Sequence, residues 1–285
     1  MKTLKIARTT DELRLHADAW RALKHTIALV PTMGALHEGH LSLVETARRH
    51  ADVVIVSVFV NPTQFAAGED YDTYPRDLDG DAEKLRAAGV DLMYAPSVEE
   101  MYPQGFATTV HVEGPAKAGL EDAFRPTHFD GVATVVAKLL IQSGCHVAVF
   151  GEKDYQQLLV IKQLVRDLDL PVKIVPAPTM READGLAMSS RNAYLSRADR
   201  ERAAVLYRAL TEAAAAIRNG ASLSEACRKG RDMIENAGLI VDYFEARNAE
   251  TLAPVEDATQ EPLRLLVAAR LGQVRLIDNI AVHET

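Results

Sequence analysis

The sequence predicts an α/β fold, a doubly wound parallel sheet in the first part of the chain with a smaller C-terminal α+β domain after it. Three observations carry that expectation. From residue 26 to residue 178, short β-rich runs alternate with segments of helical periodicity. One run, residues 53–60 (VVIVSVFV), is almost continuously apolar, the pattern of a strand covered on both faces. Near Pro178 the alternation stops, and helices followed by strands replace it.

The elements follow in order. TIALVPTM reads as a short strand, and HLSLVETARRHA as a helix with Leu41, Val44 and Ala47 on one face. DVVIVSVFV is the buried strand. DGDAEKLRAAG is a helix ending at a glycine, and VDLMYAP a strand. ATTVHV reads as a short extra strand. GVATVVAKLLIQSG is a helix stopped by Gly144. HVAVF is a strand, and YQQLLVIKQLVRDLDL a helix with Leu158, Ile161, Val165 and Leu168 on one face. PVKIVPAP closes the series as a strand, giving a Rossmann-like arrangement over residues 1–178. Residues 179–285 form the expected second domain. It opens on a polar loop, continues as one alanine-rich helix over residues 197–219, then a second helix, then three strand-like runs. Ser196 with Asp199, and Ser222 with Glu225, have the spacing of capping boxes.

Composition narrows the function. The chain has 285 residues, 48% of them apolar, and a formal charge of −8. An acidic chain is a poor binder of nucleic acid or anionic membrane, so neither is expected as a partner. No apolar run approaches the length that spans a bilayer. The opening MKTLKIARTTDELRLH lacks the apolar core of a signal peptide. Cys145 and Cys227 lie far apart without a motif, so reduced thiols and a cytoplasmic location are expected.

The string PTMGALHEGHLSL places His37 and His40 in a glycine-bearing turn after the first strand of the alternating series. A zinc helix would carry H-E-x-x-H; here the spacing is i, i+3 and Gly39 weakens a helix at that point. A turn at the carboxyl edge of a parallel sheet, opening a helix, suits phosphate instead. Gly34 and Gly39 allow backbone to approach a ligand, and an imidazole can donate to a phosphate oxygen. The plainer alternative is that both histidines only cap the helix. His16, His25 and His50 carry no such signal.

Three other blocks hold usable chemistry. In GEKD, Lys153 sits at a strand end, where it could reach phosphates, although Asp154 and Gln157 also have cap spacing. In MSSRN, Ser189, Ser190 and Arg191 offer hydroxyls and a charged fork, though such a string is also an ordinary solvated linker. In NPTQF, Gln64 carries donors and acceptors that fit a small hydroxy acid, as does Gln157 further on.

The H-x-G-H turn and the serine loop resemble the nucleotidylyl-transferase superfamily. More narrowly, VPTMGALHEGHLSLV, VFVNPTQF, FGEKDYQQL and READGLAMSSRNAYL, with RPTHFDGVATVV and ARLGQVRLIDN, resemble the pantothenate synthetase family along nearly the whole chain. The resemblance implies an ATP-dependent ligase that joins pantoate to β-alanine through a pantoyl adenylate. It implies an ATP site made of Met33, Gly34, Ala35, Leu36, His37, Glu38, Gly39, His40, Gly151, Glu152, Lys153, Asp154, Met180, Met188, Ser189, Ser190 and Arg191. His40, His37, Lys153 and Arg191 would be catalytic. Pro31, Thr32, Met33, Asn61, Gln64 and Gln157 would hold pantoate or β-alanine, with Tyr74 near the site. Asp81 matches an acidic position near Mg²⁺, but Gly80 stands where some relatives have a second acid, and a first-turn helix acid explains Asp81 equally well. The resemblance also implies a homodimer, and on this reading the second domain is expected to act as a lid that brings MSSRN onto ATP. Another adenylyl-transfer enzyme is the nearest rival, separated by Gln64 and Gln157; a class I aminoacyl-tRNA synthetase, a non-catalytic scaffold and a zinc hydrolase fit less well.

Overall fold

The computed structural model describes residues 3–66, 68–255 and 262–283. It opens with two elements that the alternating pattern did not announce, the strand β1 (Lys5–Ala7) and the helix α1 (Thr10–Ala22). Thr9 and Glu12 form a complete capping box there. β2 (Ile27–Thr32), α2 (Glu38–His50), β3 (Val53–Val58), α3 (Leu78–Ala87) and β4 (Leu92–Tyr94) follow. Two one-turn helices, α4 (Val98–Met101) and α5 (Glu121–Phe124), lead to α6 (His128–Ser143), β5 (Val147–Gly151), α7 (Tyr155–Asp167) and β6 (Lys173–Ala177).

All six strands pair in parallel, in the order β1-β4-β3-β2-β5-β6. After β2 the chain adds strands to one side, then returns to lay β5 against β2 on the other. That reversal puts the crevice at the carboxyl ends of β2 and β5, where open α/β sheets bind ligands. The strands are apolar because helices cover both faces: every residue of β3 is buried, and so are Ile27, Ala28, Leu29 and Val30 of β2. Val44 and Ala47 of α2 and Leu85 of α3 pack with Ala28, Val30, Val54 and Val56 in one apolar cluster.

Several expectations change. Residues 107–112 (ATTVHV) carry no strand; Val110 N–H instead donates to Thr134 Oγ1 on α6, at 2.9 Å. Leu168 lies beyond the end of α7 and is exposed, so the buried face of that helix is Leu158, Ile161 and Leu164. Asp154 ends a 3₁₀ turn, Glu152–Asp154, that runs directly into α7 at Tyr155. Gly144 does stop α6 in the left-handed conformation, at φ 52°.

The chain divides into two compact units, one of Met1–Glu152 with Gln157–Pro178, the other of Lys153–Gln156 with Thr179–Thr285. In the second, α8 (Arg197–Ala203), α9 (Val205–Arg218) and α10 (Leu223–Asn236) precede an antiparallel sheet of β7 (Ile240–Asn248), β8 (Leu263–Leu271) and β9 (Val274–Ala281). The single long helix expected over residues 197–219 is two. Ala204 keeps helical dihedrals (φ −60°, ψ −16°), so the hydrogen-bond ladder is interrupted rather than the helical path. Ser196 and Ser222 each accept from the backbone three residues on. Asp199 and Glu225 do not complete the boxes in the expected way: Asp199 bonds the Ser196 hydroxyl and Glu225 pairs with Lys229. Leu206, Leu210, Ala213 and Ile217 of α9 pack on Leu265, Val267 and Ala269 of β8.

Gly230 of α10 lies against the buried ring of Phe244, where an added Cβ would sit 2.5 Å from the ring. Gly230→Ala gains up to about 1 kcal/mol of helix propensity, but over-packing a core costs about 1–3 kcal/mol. The expected outcome is a net loss of about 1–2 kcal/mol in urea denaturation. An unchanged midpoint would show that α10 does not need this close approach.

Candidate active site

The β2–α2 turn begins where β2 stops. Thr32 Oγ1 donates to Ser57 O on β3 (2.7 Å) and accepts from Gly34 N–H (3.3 Å). Gly34 and Ala35 then adopt positive φ, 84° and 50°. The second is strained for a residue with a Cβ. What holds it is Asp81, in the first turn of α3 and 1% exposed. Its two carboxylate oxygens accept from Ala35 N–H (2.9 Å) and Leu36 N–H (2.7 Å). Lys84, one turn along, donates to Leu36 O at 2.8 Å. The backbone amides of Ala35 and Leu36 are therefore held by a carboxylate of the chain itself. An added Cβ on Gly34 would lie 3.0 Å from that carboxylate, so tight space as well as positive φ favours glycine.

This changes the reading of Asp81. Both oxygens face N–H donors, and burial pushes its carboxyl above the usual range against those donors and Lys84. No group of three or more His, Cys, Asp or Glu side chains suited to a metal occurs among the described residues.

The two histidines sit at the head of α2. His37 is the N-cap, and its Nδ1 accepts from Gly39 N–H at 3.1 Å. His40 Nδ1 accepts from His37 N–H at 3.3 Å. The two side chains thus make a reciprocal capping box from imidazoles, with ring centroids 4.1 Å apart. Capping and chemistry are not alternatives here. With each Nδ1 an acceptor, the ring proton of the neutral imidazole lies on Nε2. The result is two Nε2–H donors at a helix N-terminus, where the partial positive charge favours an anion. Glu38 is exposed, while Gly39 is half-buried.

NPTQF forms a 3₁₀ turn, Pro62–Gln64, at the carboxyl end of β3. Asn61 caps it and is 1% exposed. Its Oδ1 accepts from Tyr102 Oη (2.7 Å) and Thr63 Oγ1 (2.9 Å), and its Nδ2 donates to Gln64 Oε1 (3.1 Å) and Gly131 O (3.2 Å). Asn61 is thus an internal support of the turn. Gln64 Nε2 reaches Met33 Sδ at 3.2 Å, which joins the two segments expected to hold pantoate. Pro31 is half-buried at the end of β2, and Gln157 half-buried on α7; the neighbouring Gln156 is buried. Tyr74 has a buried ring packed edge-on against Phe65.

The remaining predicted residues are organised within the second unit, except Gly151 and Glu152, which lie at the carboxyl end of β5 in the first. Lys153 and Asp154 follow, their charged groups 3.7 Å apart. Asn279 Nδ2 donates to Lys153 O at 2.8 Å, and Asn279 Oδ1 accepts from Arg264 Nε. Met180 and Met188 face each other across a small hairpin, joined by Met188 N–H to Met180 O and bridged at Arg181 and Ala187. Arg181 forks onto the buried Asp278 carboxylate at 2.6 and 2.9 Å. Ser189 then caps the 3₁₀ turn Ser190–Tyr194 through Arg191 N–H. Arg181, Arg264, Asp278 and Asn279 were given no role from sequence. For Asp278 and Asn279 the signal is an acid and an amide next to Leu276 and Ile277 in RLIDN; Arg181 and Arg264 lie in other segments and carry no comparable signal.

Two outcomes follow from these geometries. Asp81→Asn places an NH₂ group against one of the two backbone donors, and should cost about 1–3 kcal/mol in chemical denaturation. His128, at the start of α6, is buried and its pKa falls to about 4, first through burial and then through Arg125 beside it, against Gln64 O, Glu121 and Glu69. The unfolded imidazole, near 6.5, takes up its proton before the folded one does. Stability should therefore fall as pH drops from about 6.5 to about 4, by up to about 3 kcal/mol. His128→Asn should flatten that slope, as read by denaturation at successive pH values.

The sequence profile of the Pantoate-beta-alanine ligase family matches residues 5–281. The chain is 58% identical over 277 residues to pantothenate synthetase 2 of Bradyrhizobium diazoefficiens, covering 97% of this chain and 98% of that one. It superposes on the crystal structure of pantothenate synthetase from Thermus thermophilus with a TM-score of 0.93 and 50% identity, over 98% of this chain and all of the other. The pantoate-beta-alanine ligase of Francisella tularensis, solved with beta-gamma ATP and beta-alanine, gives 0.80 and 36% over 98% of each chain. No helix among the described residues is long and apolar enough to cross a membrane. A parallel sheet with its switch point at β2 and β5, a histidine-capped helix at that point and similarity along the whole length agree: the chain belongs to the pantoate–β-alanine ligase family, whose members are the pantothenate synthetases.

Proposed function

We propose that this ligase makes its amide bond through a pantoyl adenylate, with ATP as the activating substrate. The observation that carries the reading is the imidazole pair at the head of α2, which presents two Nε2–H donors where the helix favours an anion. A carboxylate is a poor acyl donor to an amine. A carboxylate oxygen of pantoate attacks the α-phosphorus of ATP, the bond to the bridging oxygen breaks, and pyrophosphate leaves. The amine of β-alanine then attacks the acyl carbon, the bond to AMP breaks, and the amine loses a proton. The first step asks for positioning and charge neutralisation rather than covalent help.

The roles follow the chemistry of each group. His37 and His40 donate to the phosphates as charge builds. Lys153, Ser189, Ser190 and Arg191 supply ammonium, hydroxyl and guanidinium groups to the triphosphate, and Met180 and Met188 border the nucleotide. Gln64 and Gln157 hold the hydroxyl and carboxylate of pantoate, with Pro31, Thr32 and Met33 beside them, and Asn61 supports Gln64. Mg²⁺ is expected to travel with the triphosphate, and no step is assigned to Asp81 as its ligand. A homodimer and a cytoplasmic location belong to the same reading. So does a lid role for the second unit, which solution scattering with and without ATP and pantoate would test.

Pyrophosphate release from ATP should require pantoate, and turnover to AMP and pantothenate should require β-alanine as well. His40→Ala should slow adenylation by about 10²–10³-fold with an unchanged circular dichroism spectrum. Wild-type turnover in that variant would remove His40 from the mechanism.

A further inference from the structure

The block RPTHFDG was matched to the family without a task for any of its residues, and the structure gives it one. Arg125 forks onto Glu69, with Nε to Oε1 at 2.6 Å and Nη2 to Oε2 at 2.8 Å. The same Nη2 donates to the main-chain oxygen of Gln64 at 3.2 Å. His128 Nδ1 lies 2.9 Å from that oxygen, and its Nε2 lies 3.2 Å from Arg125 Nη1. A carbonyl can only accept and a guanidinium can only donate, so the tautomer follows: Nδ1 carries the proton and Nε2 accepts. Two donors converge on one carbonyl, and each is fixed by the other. One turn along α6, Gly131 brings the helix against the same 3₁₀ turn. A Cβ there would lie 2.4 Å from Thr63 O and 2.7 Å from Gln64 N. Gly131 O also accepts from Asn61 Nδ2.

We infer that Arg125 and His128 are positioning residues for the hydroxy-acid substrate: with Glu69 and the close approach at Gly131, they fix the backbone of Gln64 so that its side-chain amide is set for pantoate. The inference rests on the reading of Gln64 as a pantoate ligand. Three residues of one sequence block, Arg125, His128 and Gly131, address a turn about 60 residues earlier in the chain. A 3₁₀ turn has few hydrogen bonds of its own, so its geometry depends on what grips it from outside. Because the grip is on the main chain, losing it leaves the Gln64 side chain present but badly aimed. The substrate that Gln64 touches should suffer, and the nucleotide should not.

The test is steady-state kinetics on the full chain, with KM measured separately for pantoate, ATP and β-alanine, in four variants: His128→Phe, His128→Asn, Arg125→Lys and Gln64→Ala. His128→Phe keeps an aromatic ring and removes both ring nitrogens. It should raise the pantoate KM about tenfold, the scale of one lost hydrogen bond, with the ATP KM within about twofold. His128→Asn, whose amide nitrogen can take the place of Nδ1, should recover much of that loss. Arg125→Lys, which loses the fork, should resemble His128→Phe. Equal changes in all three KM values, or none for pantoate, would overturn the inference if Gln64→Ala still raises the pantoate KM. An unchanged pantoate KM in Gln64→Ala would overturn the reading of Gln64 itself, and the inference with it. If His128→Phe does not fold, as judged by circular dichroism, Arg125→Lys and His128→Asn carry the same comparison.

Discussion

One buried carboxylate sets the terms for the rest of the first unit. Asp81 accepts from two consecutive backbone amides, Ala35 and Leu36, at the point where the chain passes through two residues of positive φ. A non-glycine residue in that region is unfavourable by roughly 1–2 kcal/mol. The two hydrogen bonds to a charged acceptor in a dry site are of the size needed to offset it. Without them the turn has no reason to enter α2 at the angle that makes His37 its cap. The imidazole pair therefore depends on a residue more than 40 positions later in the sequence, and on a helix whose own sequence reads as ordinary.

The same logic recurs twice. The 3₁₀ turn carrying Gln64 is held by Asn61 from within and by α6 from outside. In the second unit, Asp278 and Asn279 on β9 hold the hairpin through Arg181 and the Lys153 segment through its carbonyl. In each case a buried polar residue, on a neighbouring element or at the head of the segment itself, fixes a short irregular segment. Regular elements are rigid because their apolar faces are packed; irregular segments are not, and need specific polar contacts. That is why buried Asp81, Asn61, Asp278 and Asn279 occur in a chain whose other buried positions are mostly apolar. A buried polar side chain costs free energy unless fully bonded, and these four are bonded to backbone groups or charged partners.

The helix-capping and phosphate-binding readings of H-x-G-H turn out to describe one arrangement. Imidazoles that cap through Nδ1 must carry their ring proton on Nε2 when neutral. The local structural role thus fixes the tautomer that the proposed chemistry requires. A serine or aspartate cap would terminate the helix as well but would present no comparable pair of donors.

Local pattern in the chain was enough to settle the class of fold, the buried character of β3 and the change of architecture near Pro178. Those depend on composition and on periods of two and 3.6 residues, which neighbouring residues display among themselves. The pattern did not show β1, because a three-residue strand has too few positions to display a period. Nor did it show the break at Ala204, since alanine-rich sequence favours helix on either side of it. Only the folded chain reveals that Asp81 holds the β2–α2 backbone, that Asn61 faces inward, that ATTVHV is not a strand and that RPTHFDG grips Gln64. Each of these turns on which donor lies within hydrogen-bond reach of which acceptor across separations of 24 to 70 residues, and no local pattern encodes that proximity.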